Sequence, residues 1–455
     1  MKGSLAEAAN VMSGTLHGTD CNFAGVSIDT RTLDPGELFF ALQGPNYDGS
    51  AFVSSAAKKN AAAAVLPATT DVYLPHITVD DTKFSLGRLA FAWRKRMPAK
   101  IIGITGSNGK TTLKQMVANC LSLSGETLAT HENLNNDIGL PLMLLRLSQE
   151  HCYAAIEMGA NHPGEIAYLT SLAEPEVVVI TNVASAHLEG FGNLDGVARA
   201  KGEILQGQVA PVYAVLNADD PYFAYWNSLV SDETVISFAV ETTEASVFAT
   251  DMQAAYGNLI KFNLHIYKEE IPIRLPLAGL HNVQNACAAA AVLHGLGIDS
   301  KQIQQGLESV QPISGRLQQV EDITGLTVYD DSYNANPQSV IAAAEFLAAQ
   351  LGQRWLVFGD MGELGKNTAL LHKEVGLAAR RLGIDRLLAT GVLSKNTVKT
   401  FGSGGQWYED IDDLIEELKR SAIKNTNILI KGSRFMHMER VVEALINEPS
   451  MRRKI

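Results

Sequence analysis

The sequence predicts an α/β protein of three domains: a small N-terminal α/β domain over residues 1–84, a central domain on a mainly parallel sheet over 85–313, and a second doubly wound domain over 314–455. Three observations carry this reading. From about residue 85, apolar runs alternate with helix-spaced stretches, and each run ends in a polar or Gly-rich turn. That pattern suits parallel strands covered by helices on both faces. The alternation restarts near residue 314, which marks a second unit of the same kind. The first 84 residues instead carry shorter β-type runs broken by Gly, Pro and Asp. A chain of 455 residues has room for three separate cores.

Composition narrows the class. Apolar residues make up 46% of the chain and charged residues 19%, the balance of a folded globular protein rather than a disordered one. A formal net charge of -12 leaves no general basic face to displace counterions, so a nucleic-acid partner is not expected. Any anionic ligand must then be held by local groups. Cys21, Cys120, Cys152 and Cys287 are scattered without a C-x-x-C pair, which predicts neither a disulfide framework nor a zinc site. No apolar run approaches the roughly 18 residues of a membrane span, and no basic segment followed by an apolar one opens the chain. A cytoplasmic protein without a membrane partner is expected.

Taken in order, "ELFFALQG" and "AAAAVLP" are β-type runs of the first domain, which closes near "HITVDDT". "KIIGITG", "YAAIEMG", "EVVVITN" and "VYAVLNADD" are the strands of the second. "GLTVYDD", "RWLVFGD", "DRLLATG" and "NILIKGS" are those of the third, with "PQSVIAAAEFLAAQ" and "MERVVEALI" as helices. Ligands of such sheets gather beyond the carboxyl ends of the strands, so the residues just after each run are the candidates.

The strongest is "GITGSNGKTT", residues 103–112, between a strand and the helical "LKQMVANCLSLSG". Glycines let backbone N–H groups converge on phosphate oxygens at a helix N-terminus. Lys110 adds a charge toward the β/γ-phosphates, and the Thr111 hydroxyl can reach Mg²⁺. The strict G-x-x-x-x-G-K-[ST] pattern would need Gly at position 104, where Ile stands; the glycines fall at 103, 106 and 109. A mononucleotide triphosphate is the expected ligand, held by Gly106, Ser107, Asn108, Gly109, Lys110, Thr111 and Thr112.

Glu157 ends its strand, and His187 follows the strand that ends near Asn182. The lesser alternative for each alone is a surface carboxylate for Glu157 and a solvated loop histidine for His187. Beside a phosphate loop, the pair can serve a second cation. Lys201, in "GVARAKGEIL", reads from spacing as a surface or phosphate-contacting lysine on a helix. Gly279, His281 and Asn282 open a helix, where they can cap it or touch a base. Asp330 and Asp331, then Tyr333, Asn334 and Asn336, follow a strand; turn formation explains them as well as ribose contact does. Asp360 with Glu363, and Lys431, Ser433 and Arg434, stand at further strand ends. An arginine there can grip a carboxylate bidentately.

Taken together, the ordered stretches "SIDTRTLDPGELFFALQGPNYDG", "TGSNGKTT", "ENLNNDIGLP", "IEMGANHPGEI", "NVASAHLEGFG", "AKGEI", "GLHNVQNA", "GRLQ", "DDSYNANP", "GDMGELG" and "KGSR" resemble the Mur ligase superfamily over nearly the whole chain. The resemblance is to the branch that joins D-alanyl-D-alanine to UDP-N-acetylmuramoyl-tripeptide, the last cytoplasmic step in making the peptidoglycan pentapeptide precursor. It implies a uridine-nucleotide domain, a central P-loop ATPase and a C-terminal Rossmann-like domain that closes over the site. It implies a monomer, and ATP with two Mg²⁺. Thr111 serves the first ion; Glu157, His187 and a carbamylated Lys201 serve the second. By the same resemblance Asn282, Arg316 and Asp331 contact adenine, ribose or phosphate. Ser27, Asp29, Thr30 and Arg31 lie in the uridine-nucleotide domain, with Asn135 and Asn136 also on the substrate side. Lys431, Ser433 and Arg434 fall in the stretch suited to the dipeptide. The reaction it implies passes through an acyl phosphate, formed where a carboxylate meets a γ-phosphate whose charge Mg²⁺ and Lys110 offset.

Rivals remain. A folate polyglutamate ligase begins close to its phosphate loop, whereas here the loop starts at residue 103. The muropeptide ligase that adds a diamino acid typically carries D-N-P-R, which is missing here. A non-catalytic nucleotide switch reading guanine would need N-K-x-D, and no "NK" pair occurs.

Overall fold

β-Branched and aliphatic runs form the strands, and the structure, a computed structural model, describes residues 1–44, 47–67, 73–255, 258–320 and 325–446. Pro45 and Asn46 of the first long motif, and the end of the C-terminal stretch from 447 onward, lie outside the described residues.

A five-stranded sheet opens the chain: β1 (Thr15–His17), β2 (Val26–Ser27), β3 (Leu38–Phe40), β4 (Ala63–Leu66) and β5 (His76–Thr78), in the order β1-β5-β4-β3-β2. Only the β1–β5 pair is antiparallel. Helix α1 (Thr82–Arg94) follows, its first N–H groups bonded to the Asp81 carboxylate. It runs through the point at which the composition shifts. Leu38, Phe40 and Ile77 of the first sheet share one apolar cluster with Leu86 and Leu89 of α1 and with Leu140 and Ile156 beyond it. The first sheet is thereby fixed against the second.

The nine-stranded second sheet comprises β6 (Lys100–Thr105), β7 (Thr127–Ala129), β8 (Tyr153–Glu157), β9 (Val177–Ile180), β10 (Tyr213–Asn217), β11 (Val235–Ala239), β12 (Val247–Ala255), β13 (Leu259–Ile266) and β14 (Glu269–Leu275). Its order is β7-β8-β6-β9-β10-β11-β12-β13-β14, parallel as far as β12 and antiparallel beyond. The chain leaves β6 toward one side and later returns to pair on the other, so the carboxyl end of β6 is a topological switch point. Helix α2 (Lys110–Leu121) starts there. Helices α3 (Leu194–Gly202) and α4 (Leu280–Gly295) follow; α4 presses its alanines against the same sheet face as Leu113 and Val117 of α2.

The third sheet has six strands, β15 (Gln318–Val320), β16 (Leu326–Asp331), β17 (Gln353–Phe358), β18 (Arg386–Thr390), β19 (Gly405–Tyr408) and β20 (Thr426–Lys431), ordered β15-β16-β20-β17-β18-β19. All pairs are parallel except β15–β16. Helix α5 (Pro337–Ala348) begins with Asn336 and Ser339 capping each other's backbone, and Pro337 sits where no N–H is needed. The expected strands and helices are all present. The antiparallel strands β12–β14, which the sequence reading passed over, extend the central sheet. Among the described residues no helix is long and apolar enough to cross a membrane.

Candidate active site

The switch point makes a loop bent by two glycines. Gly106 holds φ +144°, and a Cβ there would lie 1.8 Å from Thr181 Oγ1. Gly109 holds φ +83°, and a Cβ would meet Asn285 Oδ1 at 2.4 Å. Both positions therefore need glycine. Asn182, at the end of β9, fixes the loop from below: its carbonyl accepts from Ser107 N–H at 2.9 Å and its side-chain oxygen from Asn108 N–H at 2.9 Å. No side chain caps α2, so its first-turn N–H groups are left for an anion. The Lys110 ammonium donates to Gly106 O at 2.8 Å, folded back over the loop. Burial, with Arg316 close by, pushes its pKa down, and Glu157 opposes that shift.

Glu157 is only 3% exposed, so the surface-carboxylate alternative falls away. Its two oxygens accept from Thr111 Oγ1 at 3.0 Å and Asn135 Nδ2 at 2.9 Å. Its own N–H donates to Thr130 Oγ1 at 2.9 Å. Lys114, also buried, donates to Thr130 O at 2.6 Å. Sequence reasoning missed Lys114 and Thr130. A lysine between Leu113 and Met116 on the buried face of α2 was the available signal.

Lys201 is 1% exposed, which overturns the reading of a surface lysine. Burial, then the nearby charge of Lys110, pushes its pKa down to about 7 against the pull of Glu203, Glu165 and Glu157. The His187 imidazole stands opposite Glu363, with Nδ1 2.5 Å from Oε2.

The third sheet closes this ground from the other side. Arg316 Nη2 donates to Thr111 Oγ1 at 3.4 Å, and its guanidinium lies 4.1 Å from the centre of the Tyr333 ring. Asn336 Nδ2 donates to Asn108 Oδ1 at 2.7 Å, Ser185 N–H donates to Gln338 Oε1 at 3.1 Å, and Gln338 Nε2 donates to Ser185 Oγ at 3.1 Å. Between the two domains lies one cavity of about 790 Å³. Ser107, Asn108, Gly109, Lys110, Thr111, Asn135, Asn136, Glu157, His187, Lys201, Arg316, Lys431, Ser433 and Arg434 all line it.

Other candidates stand apart. Asn282 is buried in the first turn of α4, bonded to Ala278 O at 2.7 Å, and is not on the cavity wall. Asp331 binds the Lys431 ammonium at 2.6 Å behind the wall, and so positions Lys431 rather than facing the cavity itself. Thr112 is buried within α2, and Gly106 lies beneath the loop without lining the cavity. Ser27, Asp29, Thr30 and Arg31 lie at the carboxyl end of β2, away from the cavity; Arg31 is 88% exposed and forks onto Asp29. Asp360 spends its carboxylate on the N–H groups of Leu393 and Ser394, a turn-holding role.

Three stretches match models of one family in succession: residues 22–85 the Mur ligase family catalytic domain, 104–293 the Mur ligase middle domain, and 315–434 the Mur ligase glutamate ligase domain. A UDP-N-acetylmuramoyl-tripeptide--D-alanyl-D-alanine ligase of Escherichia coli (strain K12) is 41% identical over 445 residues, 97% of this chain and 98% of that one. The chain belongs to the Mur ligase family. The Bacillus subtilis (strain 168) protein of the same description is 33% identical over 466 residues, 99% of each chain. Among solved structures, MurF from Acinetobacter baumannii superposes with a TM-score of 0.92 at 33% identity, covering 98% of this chain and 99% of that one. The three matched stretches follow the three successive sheets of the chain.

Proposed function

We propose that this chain is an ATP-dependent, ADP-forming ligase that joins D-alanyl-D-alanine to UDP-N-acetylmuramoyl-tripeptide in peptidoglycan precursor synthesis. The observation that carries the reading is the shared cavity, in which a phosphate loop faces a buried carboxylate, a histidine, a buried lysine and three C-terminal cations. The relatives named above supply the substrate identities. The division 1–84, 85–313 and 314–455 assigns the uridine nucleotide to the first sheet, ATP to the second, and the dipeptide and nucleotide closure to the third. On this reading the chain works in the cytoplasm as a monomer.

The donor set suits a hard cation with phosphate oxygens and water completing its shell. Thr111 offers a hydroxyl, Glu157 a carboxylate and His187 an imidazole to the same cavity. Among the described residues no three His, Cys, Asp or Glu side chains converge, so no closed protein cage competes with that arrangement. When bound, Mg²⁺ at Thr111 and at Glu157–His187 supplies positive charge between the γ-phosphate and the acceptor carboxylate.

The chain's own residues do the rest. The N–H groups of α2 and the Lys110 ammonium hold the β/γ-phosphates, and the buried walls keep water from the activated carboxyl. The tripeptide carboxylate attacks the γ-phosphorus, ADP leaves, and the dipeptide amine then attacks the acyl carbon and expels phosphate. Lys431 and Arg434 supply charge for the dipeptide carboxylate. Lys201, with its pKa near neutrality, exposes a free amine lone pair that can bond CO₂ and release a proton. The resulting carbamate puts an anion where an ammonium would repel Mg²⁺.

The test is phosphate release from ATP by the purified chain. The reading requires release only with UDP-tripeptide, D-alanyl-D-alanine and Mg²⁺ all present, and a pentapeptide product by mass. Release with ATP alone would refute it.

A further inference from the structure

His187 and Glu363 meet across the two domains. His187 follows β9 in the central domain; Glu363 follows β17 in the C-terminal one. Nδ1 of the imidazole lies 2.5 Å from Glu363 Oε2. That nitrogen is buried and has no other partner among the described residues.

Both residues hold left-handed backbone, His187 at φ +56° and Glu363 at φ +61°. L-residues with a Cβ seldom adopt this region, and such conformations persist where neighbours over-determine them. The neighbours here are each other's loops. Glu189 N–H donates to Glu363 O at 3.3 Å, and a Cβ on Gly365 would touch the Glu189 backbone at 3.6 Å. Stability alone does not account for the pair, because the Glu363 side chain is 56% exposed and exposed ion pairs contribute little.

A metal-binding histidine generally gives its second ring N–H to a carboxylate, which fixes the tautomer and raises the basicity of the ligating nitrogen. With Nδ1 on Glu363, Nε2 is the nitrogen left for the cavity that His187 lines.

We propose that Glu363 is a positioning residue: supplied by the C-terminal domain, its carboxylate fixes the Nδ1–H tautomer of His187 and completes the second cation site only when the two domains touch. This rests on His187 being a cation ligand, as given under Proposed function. It makes tight binding of the second ion conditional on closure, so ATP bound to the open enzyme lacks the full charge array.

The experiment titrates Mn²⁺, read by electron paramagnetic resonance, into the enzyme holding a non-hydrolysable ATP analogue and UDP-tripeptide. Wild type binds two ions. Glu363→Ala weakens the second by about 10–100-fold, the range for loss of such a supporting carboxylate, and leaves the first within about twofold. Glu363→Gln, which keeps a carbonyl acceptor, recovers part of the loss. Adding Glu363→Ala to His187→Ala costs nothing further, because the two act as one unit. Thermal melts of each variant confirm folding, and the Gln variant serves if the Ala variant melts early. Unchanged second-ion affinity in Glu363→Ala, or additive losses in the double variant, overturns the proposal. A wild type that binds one ion, or a His187→Ala variant that still binds two normally, overturns the ligand reading beneath it and the proposal with it.

Discussion

Thr111 Oγ1 donates a 3.0 Å hydrogen bond to Glu157 Oε2, tying the first turn of the loop helix to the end of the neighbouring strand. With Asn135 on its other oxygen, Glu157 is a buried carboxylate whose side-chain hydrogen-bond partners among the described residues are two neutral donors. Thr111 also receives Arg316 from the C-terminal domain. A single hydroxyl thus joins the loop, the strand-end acid and the closing domain.

Glu157→Gln keeps the size and one acceptor but removes the charge. Phosphate release should fall by at least about 100-fold, the scale for deleting a preorganised electrostatic group, while circular dichroism stays unchanged. Lys110→Ala should do the same. Near-normal turnover in either contradicts the assignment.

Arg316→Ala removes both the Tyr333 stack and the Thr111 contact. Charge-assisted hydrogen bonds are worth about 1.5–3 kcal/mol, so KM for ATP should rise roughly 10-fold or more. Steady-state kinetics at saturating peptides measure this directly. An unchanged KM would place the nucleotide elsewhere.

Lys201 titrates near 7 in the folded chain against an ordinary value of 10.5. Between those values the unfolded chain holds a proton that the folded one lacks, so stability rises with pH across the window. Below it both states are protonated, and the cost of the buried cation is fully present. In CO₂-free buffer, the melting temperature of wild type relative to Lys201→Met should therefore climb from about pH 7 to 10. A flat difference contradicts the shift. With bicarbonate present, native mass should rise by one CO₂ in wild type only.

Asp360 was a candidate site residue by position, yet its carboxylate caps the turn before Thr397 by accepting from Leu393 and Ser394. Asp360→Ala should cost about 1–3 kcal/mol of stability by stranding buried N–H groups, with KM values for all three substrates little changed. Denaturant melts check the first part, kinetics the second.

The parallel strands were legible because each is a continuous apolar run, and the glycine-rich turn at 103–112 because it sits between such a run and a helix. Strands β12–β14 escaped because their pattern alternates. In Leu259–Ile266 buried and exposed positions interleave, so no apolar run marks the strand. The site was legible one residue at a time but not as an assembly. Nothing in the spacing reveals that Glu363 reaches His187, that Lys201 is buried beside Lys110, or that Asp331 anchors Lys431 from behind. The first joins two domains, the second two helices of the central domain, and the third the paired ends of β16 and β20. Asp360 and Glu363, three residues apart, read alike in sequence; one turns inward to a loop, the other outward to the cleft.

The most direct test of the cleft's chemistry follows the oxygen. UDP-tripeptide carrying ¹⁸O in its terminal carboxylate is ligated to D-alanyl-D-alanine, and the released phosphate is analysed by mass. Attack of that carboxylate on the γ-phosphorus predicts that each phosphate carries one oxygen from the peptide. Phosphate free of ¹⁸O, with pentapeptide formed, would contradict the account.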